Sequence, residues 1–359
     1  MNVLVIGGAG YIGSFVNQAL LKAGWKPIVL DNLSTGHQEA LVEGTSFIHG
    51  DYGDSIHLRK LFLSKHYEAV IHLGGKSIVG ESIKQPLTYL HDNVGKTIIL
   101  LTEMKRAGIK KLVFSSTAAV YGFPQETPIS ERHPVHPISP YGLSKLMVEN
   151  VLEEANRAHG IRYVSLRYFN AAGAMLDGSL GEDHNEETHL IPNIIQSAIK
   201  EKFDGQCLKV FGNSHKTFDG TCVRDYIHVL DLAEAHVKAL THLNQNGEFT
   251  KVFNLGAGRG YSVLEIIQTA EEIIRKRIPF KIHAPREGDP PVLVADGTKA
   301  IKELGWRPRY SGIQQIVRSA WSWHSQHPRG YLHYKNILRS DTNIGFHQYL
   351  LDLHLSRNS

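Results

Sequence analysis

Gly7-Gly8-Ala9-Gly10-Tyr11-Ile12-Gly13 follows the apolar run Val3 to Ile6 and leads into Ile12 to Gly24, which has helical apolar spacing. Glycines 7, 10 and 13 at a strand-to-helix turn let backbone N–H groups approach a pyrophosphate at the helix N-terminus. Alone, the spacing fits a ligand-free turn equally well. Context decides: Asp31 closes the next β-branched run 18 residues beyond Gly13. A carboxylate there accepts hydrogen bonds from a ribose diol and repels a 2′-phosphate, which favours NAD over NADP.

Working outward, short runs at Val3 to Ile6, Pro27 to Leu30, Ser46 to His49, Ala69 to Leu73, Lys111 to Ser115 and Tyr163 to Leu166 read as strands. Helical patterns separate them at 12–24, 55–64, 86–107 and 141–160. The expected fold is α/β, a Rossmann-type doubly wound parallel sheet with a smaller C-terminal α/β substrate-binding lobe. Residues 1–170 read as the NAD-binding domain, with a return segment near 225–265 that includes the strand-like run Val252 to Gly256. Residues 171–335 read mainly as the lobe, and 336–359 as a tail of unknown role.

Of the 359 residues, 42% are hydrophobic and 21% charged, the balance of a globular chain rather than a disordered or membrane-spanning one. A net charge of +4, with Lys and Arg scattered, suits an anionic small molecule better than nucleic acid. Cys207 and Cys222 form neither a disulfide framework nor a zinc spacing, the isolated histidines imply no metal, and a reducing, cytoplasmic setting fits. No apolar run reaches the ~20 residues of a membrane span, and the start leaves no room for a signal peptide.

Three further motifs fall where ligands of open α/β sheets sit, at the carboxyl edge. Asp51-Tyr52 follows the third strand, and its carboxylate either holds the adenine amino group or caps the helix at Ser55. His72-Leu73-Gly74-Gly75-Lys76 ends the fourth; its glycines admit a cofactor, and Lys76 either reaches the nicotinamide half or is a solvated lysine. Ser115-Ser116-Thr117 closes the fifth, and Tyr141-Gly142-Leu143-Ser144-Lys145 opens the next helix. Residues four apart share a helix face, so the Lys145 ammonium would favour a Tyr141 phenolate able to take a proton from a substrate hydroxyl.

With those residues in place, the chain resembles the extended short-chain dehydrogenase/reductases and, within them over residues 1 to 335, the UDP-glucose 4-epimerases. The resemblance rests on GGAGYIG, Asp31-Asn32-Leu33-Ser34-Thr35-Gly36, Val79-Gly80-Glu81-Ser82, FSSTAAVYG, SPYGLSK, Arg167 to Gly173, His189 to Asn193, DGTCVRDYIHV and Arg286-Glu287-Gly288-Asp289. It implies Tyr141 as catalytic base, Lys145 as the partner that lowers its pKa, and Thr117 as the hydroxyl on the sugar oxygen. It also implies cofactor contacts at Gly7, Gly10, Tyr11, Ile12, Gly13, Asp31, Asn32, Ser34, Thr35, Gly36, Asp51, Tyr52, Leu73, Gly74, Lys76, Asn93, Ser115 and Phe169, beside Tyr141 and Lys145.

Substrate contacts are implied at Lys76, Thr117, Tyr141, Asn170, Asn193, Val210, Phe211, Arg224, Arg286, Asp289 and Leu293, with the two arginines neutralising a diphosphate. From the residues alone, Arg224 and Arg286 serve equally as ion-pair members with Asp225 and Asp289. The activity implied is interconversion of UDP-glucose and UDP-galactose through a 4-keto sugar, with NAD tightly held and regenerated. Related dehydratases carry an Asp-Glu pair where Ala118 and Ala119 stand here. Leu293 stands where the family often has a tyrosine, leaving UDP-N-acetylhexosamine or UDP-pentose as alternative substrates; a non-catalytic NAD(H) sensor has no need of Tyr141, Lys145 and Thr117 together. The loop Asn213 to Phe218 departs from the acidic loop of the family. A homodimer through helices near Leu87 to Met104 and Leu146 to Glu154 is also implied.

Overall fold

The structure is a computed structural model that describes residues 1–199, 207–244, 251–286 and 288–331. The tail assigned to 336–359, and Glu287 of the Arg286 to Asp289 motif, lie outside these residues. In chain order the first half runs β1 (Asn2–Ile6), α1 (Tyr11–Lys22), β2 (Lys26–Asp31), β3 (Ser46–His49), α2 (Ser55–Ser64), β4 (Ala69–His72), α3 (Val79–Lys84) and α4 (Pro86–Tyr89). It continues with α5 (Lys96–Ala107), β5 (Lys111–Thr117), α6 (Pro140–His159) and β6 (Arg162–Tyr168). The second half runs β7 (Asn170–Ala172), α7 (Leu190–Ile199), β8 (Leu208–Phe211), β9 (Val223–His228), α8 (Val229–Asn244), β10 (Lys251–Leu255) and β11 (Gly260–Ser262). It ends with α9 (Val263–Ile274), β12 (Phe280–His283), β13 (Val292–Leu293), α10 (Thr298–Glu303) and α11 (Ile313–Gln326).

Seven parallel strands form the main sheet in the order β10-β6-β5-β4-β1-β2-β3. Successive side chains of a strand point to opposite faces. Thus Val3 and Val5 pack on one side with Phe15 and Val16 of α1 and Leu232 and Leu240 of α8. Leu4 and Ile6 pack on the other with Leu58 of α2, Leu100 and Met104 of α5, and Val148 and Leu152 of α6. Each such aliphatic side chain contributes about 1.5–3 kcal/mol by leaving water. With both faces covered, only the carboxyl edge of the strands stays open for a ligand.

One expected helix differs. The segment 86–107 is a single pattern in sequence, yet a wide π-type turn, Leu90–Gly95, separates α4 from α5. Asn93 lies in that turn and is buried. Such turns inside helices recur at functional sites. The helix α6 begins as its sequence dictates: Ser139 accepts from the N–H of Gly142, Pro140 sits at the first position, and left-handed Gly160 ends it.

Beyond β6 a second, smaller sheet gathers β11, β9, β13 and β7, with β8 and β12 pairing nearby and α7, α9 and α11 packed around it. Register sets Asn170 beside Tyr226 and Leu293 beside Arg224. β10 returns to the main sheet beside β6, joining Leu255 to Tyr168.

Candidate active site

The glycine turn is built for close approach. Gly7 has φ +74°, and a Cβ on Gly13 would stand 2.3 Å from the Gly7 carbonyl oxygen. Gly10 caps α1 with no side chain, and the first turn carries no acidic residue, so the leading N–H groups of the helix face the cleft without a side-chain acceptor. Asp31 takes the N–H of Ala9 at 3.0 Å and of Leu33 at 2.8 Å, tying the turn to the end of β2. Burial raises its pKa, partly offset by those two bonds. A bare helix N-terminus beside a carboxylate fits the pyrophosphate and ribose of NAD.

The turn opens on a cleft of about 2300 Å³ that runs between the sheet edge and the smaller lobe. That exceeds the roughly 300–1,000 Å³ of an ordinary small-molecule pocket. The cleft has room for a cofactor and a nucleotide-linked substrate together. Nearly every residue singled out from sequence lines it, from Gly7 and Asp31 through Thr117, Tyr141 and Lys145 to Arg224, Arg286, Asp289 and Leu293. Gly36 and Asn93 do not. A Cβ on Gly36 would stand 2.8 Å from the backbone of Ala9, so Gly36 supports the turn from behind. Asn93 holds the backbone of Lys76 through both its N–H and C=O and donates to the Ser144 hydroxyl, fixing the β4 loop against α6.

At the centre, Thr117 and Tyr141 line the cleft together; burial raises the phenol's pKa and the Thr117 hydroxyl lowers it less, leaving it above the usual value. The Lys145 ammonium, on the same helix, donates to the Ser115 carbonyl at 2.9 Å and lies 4.9 Å from the centre of the Phe114 ring. Burial draws it down to about 8. Behind this pair, Ser115 bonds the Tyr168 hydroxyl, while Ser116 donates to Glu149 at 2.5 Å.

Other assignments sharpen. The cap of α2 is Asp54, accepting from Ile56 and His57, so Asp51 is not the helix cap. Asp51 instead takes Lys96 at 2.8 Å, Gly53 N–H and Asn32. Its pKa is pushed up by burial and carried below normal by these bonds. Tyr52, beside it in the cleft, donates to the Asp92 carbonyl at 2.6 Å. Lys76 lines the cleft with its ammonium 3.4 Å from Glu81. Arg224 pairs with Asp289, while Asp225 binds the N–H groups of Ala257, Gly258 and Ala295 instead of an arginine. The Arg286 guanidinium stacks on Phe211 at 4.3 Å. Asn193 donates to the carbonyls of Glu187 and His189.

Two features escaped the sequence reading. One is the buried network in which Arg167 grips Glu149 and donates to the Tyr121 hydroxyl, which in turn bonds Asn254. It bolts α6 to the ends of β5, β6 and β10, the frame that holds Tyr141 and Thr117. The other is a group of Glu182, His184, Glu187 and His189 on the cleft wall. Its E-x-H-x-x-E-x-H spacing was visible, in a segment read only as a loop.

Among the described residues no helix is long and apolar enough to cross a membrane. The model of the NAD dependent epimerase/dehydratase family matches residues 3–256. The chain is 48% identical over 331 residues to a UDP-glucose 4-epimerase of Lactobacillus helveticus, covering 92% of this chain and 99% of that one. A Bifidobacterium longum UDP-glucose 4-epimerase, solved in complex with NAD+ and UDP, superposes with a TM-score of 0.87 at 38% identity, covering 92% of this chain and 100% of that one. A UDP-Glc/GlcNAc 4-epimerase of Campylobacter jejuni superposes with a TM-score of 0.78 at 38% identity, over 90% and 99% of the two chains. A glycine turn made for a dinucleotide, a tyrosine and a strand-end threonine lining one cleft, and likeness over 92% of its length together place this chain in the NAD dependent epimerase/dehydratase family.

Proposed function

We propose that this chain is a UDP-glucose 4-epimerase that interconverts UDP-glucose and UDP-galactose, with NAD held by the α1 turn and Asp31. The observation that carries the reading is the convergence of Thr117, Tyr141 and Lys145 on the cleft that the glycine turn opens on, with the Lys145 ammonium buried on the Ser115 carbonyl. NAD, when bound, supplies the acceptor and later donor of the C4 hydride and brings a positive charge into the pocket. That charge is needed, because burial alone keeps Tyr141 protonated.

Tyr141 takes the proton from the sugar O4 and returns it on the opposite stroke, and Thr117 orients that oxygen. Arg224 and Arg286 hold the diphosphate so that only the hexose turns between strokes. Ala118 and Ala119 offer no acid or base at the next positions, so elimination of water is disfavoured. The two free cysteines suit a reducing, cytoplasmic setting. Exposed Leu87 and Ile98 on α4 and α5, with Leu143 and Met147 on α6, support pairing with a second copy. Sedimentation equilibrium reads this directly; a monomer at assay concentration would refute it.

Purified protein given UDP-galactose and no NAD is expected to form UDP-glucose, read by chromatography. Tyr141→Phe should lower the rate about 10²–10⁴-fold. Failure of the wild type with UDP-galactose, even with NAD added, would refute the UDP-hexose assignment. Leu293 supports a second reading, in which UDP-N-acetylhexosamine is also turned over: it lines the cleft and pairs with Arg224 where a larger ring would narrow the space. The same assay with UDP-N-acetylgalactosamine separates the two readings.

A further inference from the structure

Between β7 and α7 the chain presents four ligating side chains within eight residues: Glu182, His184, Glu187 and His189. Their nearest ligand atoms all lie within 4.8 Å of one another. His184 Nδ1 stands 3.3 Å from Glu182 Oε1 and 3.4 Å from Glu187 Oε2, and His189 Nδ1 stands 2.5 Å from Glu182 Oε1 and 3.6 Å from Glu187 Oε1. Four donors around a zinc ion at about 2.0–2.2 Å in tetrahedral array sit about 3.3–3.6 Å apart. Most of these separations are already close to that.

The carboxylates are the buried half of the group, with side chains 3% and 5% exposed. Two buried carboxylates facing two imidazoles would close into ordinary hydrogen bonds if protons alone held them together. They do not close. Glu187 Oε2 is buried without a hydrogen-bond partner, and its 3.4 Å approach to His184 is too long and misdirected for one. A buried carboxylate oxygen aimed at a cluster and left unsatisfied is costly unless something else completes it.

The surroundings hold the group in place before any ion arrives. Trp323 donates its indole N–H to the Glu182 carbonyl at 2.9 Å, and the neighbouring Asp183 accepts the N–H of Tyr331 at 2.9 Å and lies 3.4 Å from His37. The His189 N–H donates to Glu187 Oε1 at 2.8 Å. On the open side, the His189 side chain is half exposed on the cleft, which gives an ion a way in.

We propose that Glu182, His184, Glu187 and His189 form a divalent-cation site of the zinc class on the cleft wall. The donor set decides the class: two imidazoles and two carboxylates suit a borderline transition-metal ion, whereas calcium and magnesium take all-oxygen shells. The site belongs to this chain's own loop and stands whether or not the epimerase reading does. Imidazoles bind metal only when deprotonated, so binding releases protons.

Untagged full-length protein, stripped by chelator and titrated with Co²⁺ alone, tests it. The expected result is the visible absorption of four-coordinate Co²⁺, saturating at one equivalent and bleached by Zn²⁺. Glu187→Gln keeps the side-chain shape, and His184→Ala removes a ligand; each should weaken Co²⁺ binding more than about tenfold, since even an outer-shell loss costs that much. Far-ultraviolet circular dichroism and NAD binding report whether each variant is folded, and Glu187→Gln decides alone if His184→Ala is not. Absence of a saturating band in the wild type, or equal bands in wild type and Glu187→Gln, would overturn the site and leave a proton-linked ionic cluster.

Discussion

Arg167 meets Glu149 in the interior between β5, α6 and β6, with side chains 7% and 5% exposed, whereas Arg224 meets Asp289 on the cleft wall, at 12% and 28%. The chemistry is the same and the surroundings are not. Glu149 also receives Ser116, and Arg167 also reaches Tyr121, so the first pair closes on partners inside the protein. The second faces a space large enough for a nucleotide sugar, with Phe211 and Arg286 alongside. A closed pair fixes geometry, here that of Thr117 and Tyr141; an open pair keeps a guanidinium ready for an arriving anion.

The largest effect should come from breaking the closed pair. Glu149→Ala leaves a buried guanidinium and the Ser116 hydroxyl without their acceptor, and is expected to cost about 3–5 kcal/mol, read from the denaturant midpoint. Replacing both partners with leucine and methionine should restore much of that stability, because no charge then stays buried alone. If the single and double variants are equally unstable, the pair matters for packing rather than for charge.

Lys145 is a third kind of buried charge in the same frame, with one carbonyl and one ring for company. Its folded pKa of about 8 lies below the ordinary 10.5, so between these values the native state binds fewer protons than the unfolded one. Stability therefore rises with pH across that window, and below it the ammonium carries a full penalty of about 3 kcal/mol. Lys145→Met should be more stable than wild type at pH 7 by about that amount, with the advantage shrinking from pH 8 to 10.5 while turnover is lost. An advantage that stays flat with pH would mean that the ammonium is better paired than its one hydrogen bond indicates.

The contrast between the pairs also explains what could be read in advance. The glycine turn, the strands and the Tyr141 helix were legible because each is local: close backbone approach demands glycine, burial on both faces demands apolar runs, and helical spacing runs unbroken from Tyr141 to Gly160. Glu149 and Arg167 lie on different elements, and nothing in their spacing predicts that they meet. Asp54 rather than Asp51 caps α2, a displacement of three residues that composition cannot resolve, because both are aspartates in one turn. The π-type turn at Leu90–Gly95 and the role of Asn93 depend on the β4 loop folding over it, which is a tertiary fact. The Glu182 to His189 group was missed for a different reason: its spacing stands in the sequence, but its ligand atoms converge because a loop without periodicity is pinned by Trp323 and Tyr331.

The open pair gives the smaller effect and the sharper test. Arg224 contributes little to the fold if its main work is done on a ligand, since a partly exposed ion pair is worth about 0–1 kcal/mol. Toward a diphosphate, a charged hydrogen bond in a closing cleft is worth about 1.5–3 kcal/mol. Arg224→Ala should then raise KM for UDP-galactose about 10–100-fold while kcat falls far less, because the anchor is the same before and after the hexose turns. Steady-state kinetics beside a thermal melt checks both halves at once. A melt shifted as far as that of Glu149→Ala, with KM unchanged, would make Arg224 a structural residue like Arg167. An unshifted melt with raised KM keeps the two arginines apart, one holding the frame and the other holding what the frame turns over.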